Sequence, residues 1–528
     1  MKQKSISEQE GLTYMSFLQV DRLEQDALEV LGLVRSMKNK FVPVGRIPGA
    51  VLSLIPNYWE RRYIDTDKDL VALTHVCRGW RELFTSHPSL WTRLDFTNVD
   101  KTQAYIKRSR SLPLEVTICN TKAESSLEEA LLLAIPHIKR FKSLTIVGTS
   151  DPLQNLTKHL TLPAPFLKEV TIDFNGENAP ALDKKLLDGD LSSLRTLNLG
   201  GVVTNLPWKN PWNLTTFKLR CVPDNITPIA SLLSFLESAP QLRDITLYHS
   251  IPTSSNASSS RVVLLPKLKI LTIHGGRTRI LLNHLSIPEG ASLVLDFNFR
   301  GEKSPFSRCL PKTKNLKNLF RVTTINVHFD GFDGKKFVRL VGPSGGLYIF
   351  GHWERGTRET LSLGLDHEIL QSLNYFPLHM TQSLTITKYA HLMPLRNIEE
   401  YPVYQILLRM KDLHTLTLIQ SFNSEFIFAL NPSSDPSKVI TCPNLKKLVL
   451  YVGMKSGFNI STLEEMAKER ASRGVKLRSI TIVGLGELLP GREVFRLKKH
   501  VEHVEYRFEE NSPSWDSIPD GGTDQWEG

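Results

Sequence analysis

Two histidines and two glycines near the carboxyl end are the residues whose types and spacing come closest to a reactive site. His500 and His503 are three residues apart on a basic segment, and two imidazoles at that spacing could hold one metal ion. No carboxylate or cysteine stands in helical register with them, so we do not expect a metal site there. Gly484-x-Gly486 lacks the third glycine of a phosphate-binding loop, and turn geometry explains it.

Other catalytic motifs are absent from the sequence as well. It contains no Gly-x-x-x-x-Gly-Lys-[Ser/Thr] loop, no Gly-x-Ser-x-Gly elbow and no His-Glu-x-x-His site. The five cysteines are odd in number, far apart and never in a Cys-x-x-Cys pair, which excludes a disulfide framework and a zinc ribbon. We therefore expect a non-enzymatic protein that works by binding, with no catalytic residue, no cofactor and no metal.

An apolar stripe of helical spacing lies within the first hundred residues. Its members recur at steps of three and four residues, as on one face of an α-helix: Leu70, Leu73, Val76, Cys77, Trp80 and Leu83. A shorter apolar face precedes it: Ile47, Pro48, Val51, Leu52 and Ile55. A segment of about fifty residues makes a small core. A partner helix that covers this surface and packing on the rest of the chain fit the pattern equally.

The order of residues in this segment resembles an F-box. That family has a Leu-Pro opening with an apolar helix, to which Arg46-Ile-Pro-Gly-Ala-Val-Leu-Ser-Leu-Ile55 is similar. Its second helix reads Asp-Leu-x-x-Leu-x-x-Val-Cys-Arg-x-Trp, to which Asp69–Leu83 is similar, and its closing Leu-Trp matches Leu90-Trp91. The second half is the specific one. Residues 45–95, the F-box-like segment below, therefore resemble the F-box of fungal-type F-box domain-containing proteins.

The resemblance implies a function and a set of contacts. An F-box docks on a Skp-family adaptor and, through it, on a cullin–RING ubiquitin ligase. Carried over by position, five residues would lie at or near the adaptor surface: Ile47, Pro48, Val51, Leu52 and Leu70. Four more would hold the three-helix core and shape its edge: Val76, Cys77, Trp80 and Trp91.

A different repeated pattern, apolar-x-x-apolar-x-apolar, begins after about residue 112. The last two apolar residues of each unit are two apart and therefore face one side of a short strand. The units are Phe141–Leu144–Ile146, Leu167–Val170–Ile172, Leu194–Leu197–Leu199, Leu214–Phe217–Leu219, Leu242–Ile245–Leu247, Leu268–Leu271–Ile273, Leu413–Leu416–Leu418, Leu445–Leu448–Leu450 and Leu477–Ile480–Ile482.

One such strand cannot bury its apolar face, whereas many stacked in parallel make a continuous core. We predict an α/β fold: a small three-helix F-box followed by an irregular leucine-rich-repeat-like solenoid of short parallel strands with helix or loop returns. The pattern resembles leucine-rich repeats, but only Asn175 occupies that family's asparagine position, so regular horseshoe curvature is not expected. Between residues 280 and 412 the repeat weakens, although strand-like runs persist: Leu293–Phe299, Val322–Phe329, Leu347–Trp353 and Leu384–Tyr389.

Several connecting segments carry local signals. Ser461-Thr-Leu-Glu464 is typical of a capping box, and Arg473-Gly474 is typical of a helix end. Two further helices are predicted, one over Ile229, Leu232, Leu233 and Leu236 and one from Glu128 to Ile138, which Pro136 interrupts. Residues 253–260 predict a polar surface loop, and Gly342-Pro-Ser-Gly-Gly346 predicts a turn.

The two ends of the chain differ from its body. Residues 16–38 predict an amphipathic helix with an apolar stripe of Phe17, Val20, Leu23, Ala27, Leu28, Val30, Leu31, Val34 and Met37. The stripe is long enough for a coiled-coil partner, although packing on its own chain is the commoner arrangement. We divide the chain into the amphipathic helix (1–44), the F-box (45–95), the substrate-binding array (96–508) and a flexible acidic tail (509–528).

Charge and hydropathy limit the classes of partner that the chain is expected to have. The formal charge is +11, and residues 509–528 hold six acids and no bases, so the excess positive charge lies in the array. A basic body indicates acidic partners or nucleic acid, whereas Lys and Arg that only solvate an exposed face explain it more simply. No apolar run reaches membrane length and no signal-peptide core occurs. We therefore expect a protein of the cytoplasm or nucleus without a membrane partner.

These observations favour a substrate-recognition subunit of a cullin–RING (SCF-type) ubiquitin ligase, with a Skp-family adaptor and an unknown protein substrate as partners. One rival is a non-ligase interaction scaffold. It is favoured by Ala50, where the family usually has an acid, by Pro56, which should end the first helix early, and by the long charged insertion Pro56–Lys68. The other rival is a basic nucleic-acid-binding solenoid, which the charge alone favours.

Overall fold

The computed structural model of the protein divides into two compact units. One is Met1–Val147 with Leu162–Leu167, and the other is Gly148–Thr161 with Lys168–Gly528. The structure describes residues 2–54, 66–96, 98–119, 124–148, 159–174, 182, 186–203, 209–220, 228–249, 261–275, 278–299, 315–329, 335–343, 345–353, 369–387, 402–419, 423–431, 439–453, 459–485 and 495–509. Within these ranges, no helix combines the length and apolar character needed to cross a membrane.

The first unit is mainly helical. Its helices are α1 (Lys2–Asn39), α2 (Gly49–Leu52), α3 (Thr66–Val76), α4 (Arg78–Thr85), α5 (Val99–Arg108) and α6 (Glu124–Ala134), with 3-10 turns at Pro43–Arg46, Pro88–Trp91 and Ile135–Arg140. Three parallel strands complete it: β1 (Arg93–Leu94), β2 (Leu114–Cys119) and β3 (Phe141–Gly148). The helix predicted over 16–38 is confirmed within α1. The one predicted over 128–138 begins earlier and becomes a 3-10 turn at Ile135, because Pro136 has no N–H for an α-helical bond.

The second unit is built on strands. They are β4 (Glu169–Phe174), β5 (Thr196–Gly200), β6 (Thr216–Arg220), β7 (Asp244–Tyr248), β8 (Val263–Leu264), β9 (Ile270–His274), β10 (Leu285–Ser286), β11 (Ser292–Phe299), β12 (Thr324–Phe329), β13 (Lys335–Val341), β14 (Gly346–Trp353), β15 (Ser383–Thr387), β16 (Thr415–Ile419), β17 (Lys447–Val452), β18 (Ser479–Leu485) and β19 (His503–Glu509). Its helices are α7 (Ile229–Glu237), α8 (Thr278–Leu282), α9 (Pro402–Arg409), α10 (Asn423–Leu430) and α11 (Ile460–Ser472), and its 3-10 turns are Leu186–Gly189, Pro211–Asn213, Lys317–Leu319, Leu373–Tyr375 and Leu378–Met380.

The predicted apolar pairs form buried strands in matched parallel register. In the first run, Val170, Leu197, Phe217, Ile245 and Leu271 lie side by side on β4, β5, β6, β7 and β9. In the second run the same alignment joins β15 to β18 through Leu384, Leu416, Leu448 and Ile480, and β19 continues it. All of these apolar residues are buried. Because equivalent residues stack on one another, a core that no single strand could form is continuous along each run.

One strand in the middle of this sheet departs from the predicted parallel arrangement. Pairing runs from β11 to β14, β13, β12 and β15, and β13 is antiparallel to both of its neighbours. The sequence pattern missed this strand. The physical reason is its short connections, because a turn at Gly342–Gly346 can join only antiparallel strands. That turn is confirmed by the N–H of Gly342, which donates to the carbonyl of Gly345 at 2.8 Å, although Ser344 lies outside the described residues.

The connecting helices agree with the sequence except at one cap. The helix predicted from Ile229 to Leu236 is confirmed as α7, with its apolar stripe buried. The capping box at Ser461 is wrong: α11 is capped by Asn459, whose Oδ1 accepts from the N–H of Ser461 at 2.9 Å. The predicted stop is confirmed, since Gly474 follows the helix with φ +78°. The polar loop 253–260 and the tail beyond Glu509 lie outside the described residues.

A buried arginine ties three parts of the second unit together. Arg470 of α11 has no solvent exposure. Its Nη1 donates to the carbonyls of Leu430 at 3.2 Å and Thr441 at 3.0 Å, and its Nη2 donates to that of Cys442 at 2.8 Å. Burial lowers the pKa of this guanidinium. Burial also raises the pKa of the Cys442 thiol to about 12 even though Arg470 opposes the shift, so the thiol stays protonated. The end of α10 and the approach to β17 therefore depend on one side chain.

Replacing Arg470 with methionine should destabilise the second unit strongly. The change keeps the aliphatic stem but removes the Arg470 hydrogen bonds to the carbonyls of Leu430, Thr441 and Cys442, of which only Cys442 keeps a second donor, the N–H of Leu445. The expected loss is about 3–5 kcal/mol of unfolding free energy. Denaturant unfolding followed by circular dichroism measures it. The matched control is Lys468→Met, an exposed cation on the same helix. Equal unfolding midpoints for the two variants would show that these hydrogen bonds do not stabilise the fold.

Candidate functional site

The F-box-like segment contains a helix break that its sequence pattern did not predict. Cys77 is extended, with φ −159° and ψ 171°, so α3 ends at Val76 and α4 begins at Arg78. The Nε of Arg81 donates at 3.0 Å to the carbonyl of Thr74, which the interrupted helix leaves free. The continuous helical stripe predicted from Leu70 to Leu83 is therefore wrong. Its apolar residues divide between two helices that pack on each other.

Trp91 is the centre of the core in this segment. It is fully buried, and its Nε1 donates to the carbonyl of Phe84 at 2.9 Å. The ring of Tyr105 meets it edge-on with centroids 4.9 Å apart, and the guanidinium of Arg108 lies 4.3 Å from its ring centroid. Both of these residues belong to α5. The tryptophan therefore joins the end of α4 to α5 through a hydrogen bond, an aromatic contact and a cation–π contact.

The short helix α2 closes one side of the same core. A Cβ at Gly49 would lie 3.3 Å from Cδ1 of Leu83, so α2 approaches α4 closely at a residue without a side chain. Leu52 of α2 and Leu70 of α3 are buried. Trp80 is half-buried and packs edge-on against Phe84, with ring centroids 5.7 Å apart. The described part of the segment is therefore a packed helical module.

The nine residues predicted for adaptor binding fall into three groups. Leu52, Leu70 and Trp91 are buried, although the first two were expected near the adaptor surface. Cys77 and Trp80 are partly exposed, and the side chains of Ile47, Pro48, Val51 and Val76 are exposed. Val76 was expected in the core but is 56% exposed, because the break at Cys77 ends its helix there. Sequence reasoning missed two further exposed apolar residues, Leu54 and Val71.

A second candidate surface lies on the outward face of the sheet in the second unit. One residue from each of six strands aligns in register across β4, β5, β6, β7, β9 and β11 to form what we call the polar row: Asp173, Gly200, Arg220, Tyr248, His274 and Asp296. In the first five strands the row residue directly follows the last apolar residue of the repeat unit. The sequence therefore contains a signal for this row, at the position after each repeat unit.

Gly200 allows the first contact of the polar row. The guanidinium of Arg220 reaches across β5 to pair with the carboxylate of Asp173, and it also donates to the carbonyl of Phe174 at 3.2 Å. A Cβ at Gly200 would overlap that carboxylate. The glycine is therefore required by close approach of side chains over the strand. The pair makes this end of the row compact and neutral.

The other end of the polar row is an aromatic and acid–base cluster. The Tyr248 and His274 rings are stacked, with centroids 3.9 Å apart and planes 9° apart. Nδ1 of His274 lies 3.0 Å from Oδ2 of Asp296. Burial, and then the charge of Asp296, raises the pKa of the Tyr248 phenol, so it keeps its proton at neutral pH. Through its two rings and their polar atoms, the cluster can offer stacking and hydrogen bonds to a bound chain.

Neither surface has the groups that hold a metal ion. Within the described part of the chain, no three His, Cys, Asp or Glu side chains come together for one. His500 lies in a turn after Leu497, and His503 is the first residue of β19. Gly484 pairs with Phe508 within the sheet, as a strand residue, and Gly486 is outside the described residues.

Comparison with known proteins gives one family match. The F-box-like family model matches residues 61–97, so this part of the chain is an F-box-like domain. Residues 45–60 of the F-box-like segment precede the match. No curated protein matches the sequence. A chain of the solved structure "Crystal structure of Rad7 and Elc1 complex in yeast" aligns over 91% of this chain and 94% of its own, with 14% identity and a TM-score of 0.26. A TM-score this low does not establish a shared fold.

Replacing Trp91 with alanine should unfold the helical module locally. The loss of a fully buried ring with its hydrogen bond should cost about 3–5 kcal/mol. Trp80→Ala should cost less, because that ring is half-exposed. Hydrogen exchange of peptides covering α4 and α5 measures both, and exchange in the second unit is the internal control. If amides in α4 and α5 were equally protected from exchange in the two variants, Trp91 would not be the centre of the core.

Proposed function

We propose that the chain is the substrate-recognition subunit of a cullin–RING (SCF-type) ubiquitin ligase, as a fungal-type F-box protein. The F-box-like segment would bind a Skp-family adaptor, and the strand array would bind a protein substrate. One observation carries the proposal. The F-box-like match at 61–97 falls on a module whose core is closed around Trp91 while apolar side chains stay on its surface. A cytoplasmic or nuclear location goes with this proposal.

The exposed apolar residues support adaptor binding on physical grounds. Ile47, Val51 and Val76 are 36%, 52% and 56% exposed, so among the described residues they take little part in packing the module. Exposed apolar side chains, where they form a contiguous surface, mark an interaction site. Covering each side chain with a partner helix would contribute about 1–2 kcal/mol, since each is already partly buried. Three to five such contacts together would contribute about 3–10 kcal/mol, from which the cost of association is subtracted.

Each predicted adaptor residue has a role in this proposal. Ile47, Pro48, Val51 and Val76 would contact the adaptor directly. Leu52, Leu70 and Trp91 would act by holding the module rigid, and Cys77 and Trp80 would shape its edge. Ala50 leaves the surface without the acid that the family usually has there. Apolar contact would therefore provide most of the affinity.

No catalytic residue is needed for this role. A receptor that holds a target near the ubiquitin-loaded enzyme makes transfer effectively intramolecular, and the gain is in local concentration. The chemistry belongs to the other subunits. What the receptor must supply is a rigid body with two binding surfaces.

The substrate surface would be the outward face of a leucine-rich-repeat-like array. The matched register of β4 to β9 and of β15 to β19 supports that interpretation, because register-aligned strands make outward side chains periodic. On this face the polar row offers a stacked Tyr248–His274 pair beside Asp296. Aromatic residues with polar tips are the side chains that most often anchor protein interfaces.

A double substitution, Val51→Glu with Val76→Glu, should abolish adaptor binding. Two carboxylates would have to be buried without partners in the complex, so recovery of the adaptor should fall at least about tenfold. The measurement is co-purification of the full-length chain with a Skp-family adaptor. Both positions are exposed in the free chain, so folding should be unaffected.

The matched control for adaptor binding is Val439→Glu, an exposed valine in the second unit. It should leave recovery unchanged. If the wild-type chain recovers no adaptor, the ligase proposal fails and the scaffold interpretation replaces it. If wild type and the double variant recover adaptor equally, binding occurs but does not use this surface.

Removing the aromatic cluster of the polar row should abolish substrate binding and leave adaptor binding unchanged. For Tyr248→Ala with His274→Ala, proximity labelling in cells should lose the proteins that the wild type labels. Adaptor recovery should stay at the wild-type level. Tyr375→Ala, at an exposed tyrosine away from the row, is the control. An unchanged set of labelled proteins would place the substrate surface elsewhere.

A further inference from the structure

The first helix of the protein carries an apolar face that nothing in the described residues covers. α1 is 38 residues long, and side chains are described from Ser16 onward. Val20, Leu23, Val30, Val34 and Met37 are between 55% and 67% exposed. Packing on its own chain, the commoner arrangement for such a stripe, is therefore not seen among the described residues.

The spacing of these residues is that of a coiled coil. Val20, Leu23, Ala27, Val30, Val34 and Met37 are separated by alternating steps of three and four residues, the a and d positions of successive heptads. We call them the seam. Leu31 and Leu33 flank it at e and g positions, and Gly32 lies on the opposite side at an f position, where an added Cβ would meet open space. One face of α1 is thus built for another helix.

We infer that the partner of this face is α1 of a second copy of the chain, packed antiparallel in a homodimer. The seam is self-complementary in that orientation. When Val20 faces Met37 of the other copy, Leu23 faces Val34 and Ala27 faces Val30, and the twofold axis repeats the same three layers. Every a residue then meets a d residue, as antiparallel packing requires, and no seam residue is left over.

The side-chain sizes favour this orientation over a parallel one. In a parallel pair, Ala27 would face Ala27 of the other copy and leave a thin layer in the middle of the seam. In the antiparallel pair the small residue meets the larger Val30 instead. Facing positions that combine a small and a large side chain fill the interior better.

The charges along the helix favour the same orientation. Residues 21–29 hold the acids Asp21, Glu24, Asp26 and Glu29 and only one base, Arg22. Residues 30–40 hold the bases Arg35, Lys38 and Lys40 and no acid. Antiparallel packing sets the acidic half of one copy beside the basic half of the other, whereas parallel packing sets like charges together. The helix dipoles also oppose each other only in the antiparallel pair.

The dimer would hold the two F-box-like segments apart. In this register Asn39 lies opposite residue 18 of the other copy, so the two chain exits are about 32 Å apart along the axis at 1.5 Å per residue. The F-box-like segment follows within a few residues of each exit. The dimer does not depend on the proposed ligase function, because its evidence lies in α1 alone.

Sedimentation equilibrium of the full-length chain tests the inference. The expected wild-type mass is twice the chain mass of 59.8 kDa. Leu23→Asp should weaken association by roughly 100-fold or more, because the carboxylate would be buried in a seam layer without a partner. Leu28→Asp is the matched control, since Leu28 is equally exposed but lies at a b position off the seam. A monomeric wild type, or equal loss in the two variants, would overturn the inference.

A charge pair tests the orientation and guards against simple misfolding. Leu23→Asp combined with Val34→Lys places opposite charges in one layer only if the helices are antiparallel, and the double variant should then associate more tightly than either single variant. In a parallel pair each new charge would face its own copy, and the double variant would be the weakest. Gly32→Ala should raise helix content without weakening association. Weakest association of the double variant would overturn the antiparallel arrangement.

Discussion

The hydrogen-bonded register between consecutive parallel strands is the constraint on which the second unit depends. A short strand with two apolar residues on one side cannot exclude water by itself, so each repeat relies on its neighbour for both backbone bonds and core. Leu197 on β5 is buried because Val170 and Phe217 lie beside it. Where the connections shorten, β13 keeps the backbone bonds by reversing direction. Backbone hydrogen bonding between neighbouring strands is thus continuous even where the parallel repeat is interrupted.

The same register organises the outward face. Once inward positions are aligned, the residues between them align as well, and side chains that are far apart in sequence become neighbours. Arg220 reaches Asp173 across Gly200 for this reason, and Tyr248 stacks on His274. A binding surface can therefore vary residue by residue while the core stays unchanged. Rigid strands with exchangeable outward residues are well suited to recognising a protein chain.

The helical part differs from the strands: its described residues form a packed core and also leave apolar side chains exposed. Trp91 satisfies its own N–H within the module and brings α5 against it. The exposed Val51 and Val76, and the seam of α1, are not covered by the described residues. Apolar surface beside a finished core is a feature of chains that work in assemblies. The two sets of exposed apolar residues differ in kind: one lies on the short helices of the F-box-like segment, and the other is a heptad stripe that is complementary to itself.

The sequence by itself determined most of the strands, their parallel alignment within the two runs and where the F-box-like domain lies. Those features depend on neighbours along the chain, through periods of two and of three to four residues. Tertiary structure alone decided the break at Cys77, the reversal of β13 and the exposure of Val76. Each depends on which groups remain free after packing, as when Arg81 takes the carbonyl of Thr74. Spacing shows that an apolar face exists, and only packing shows whether the chain itself covers it.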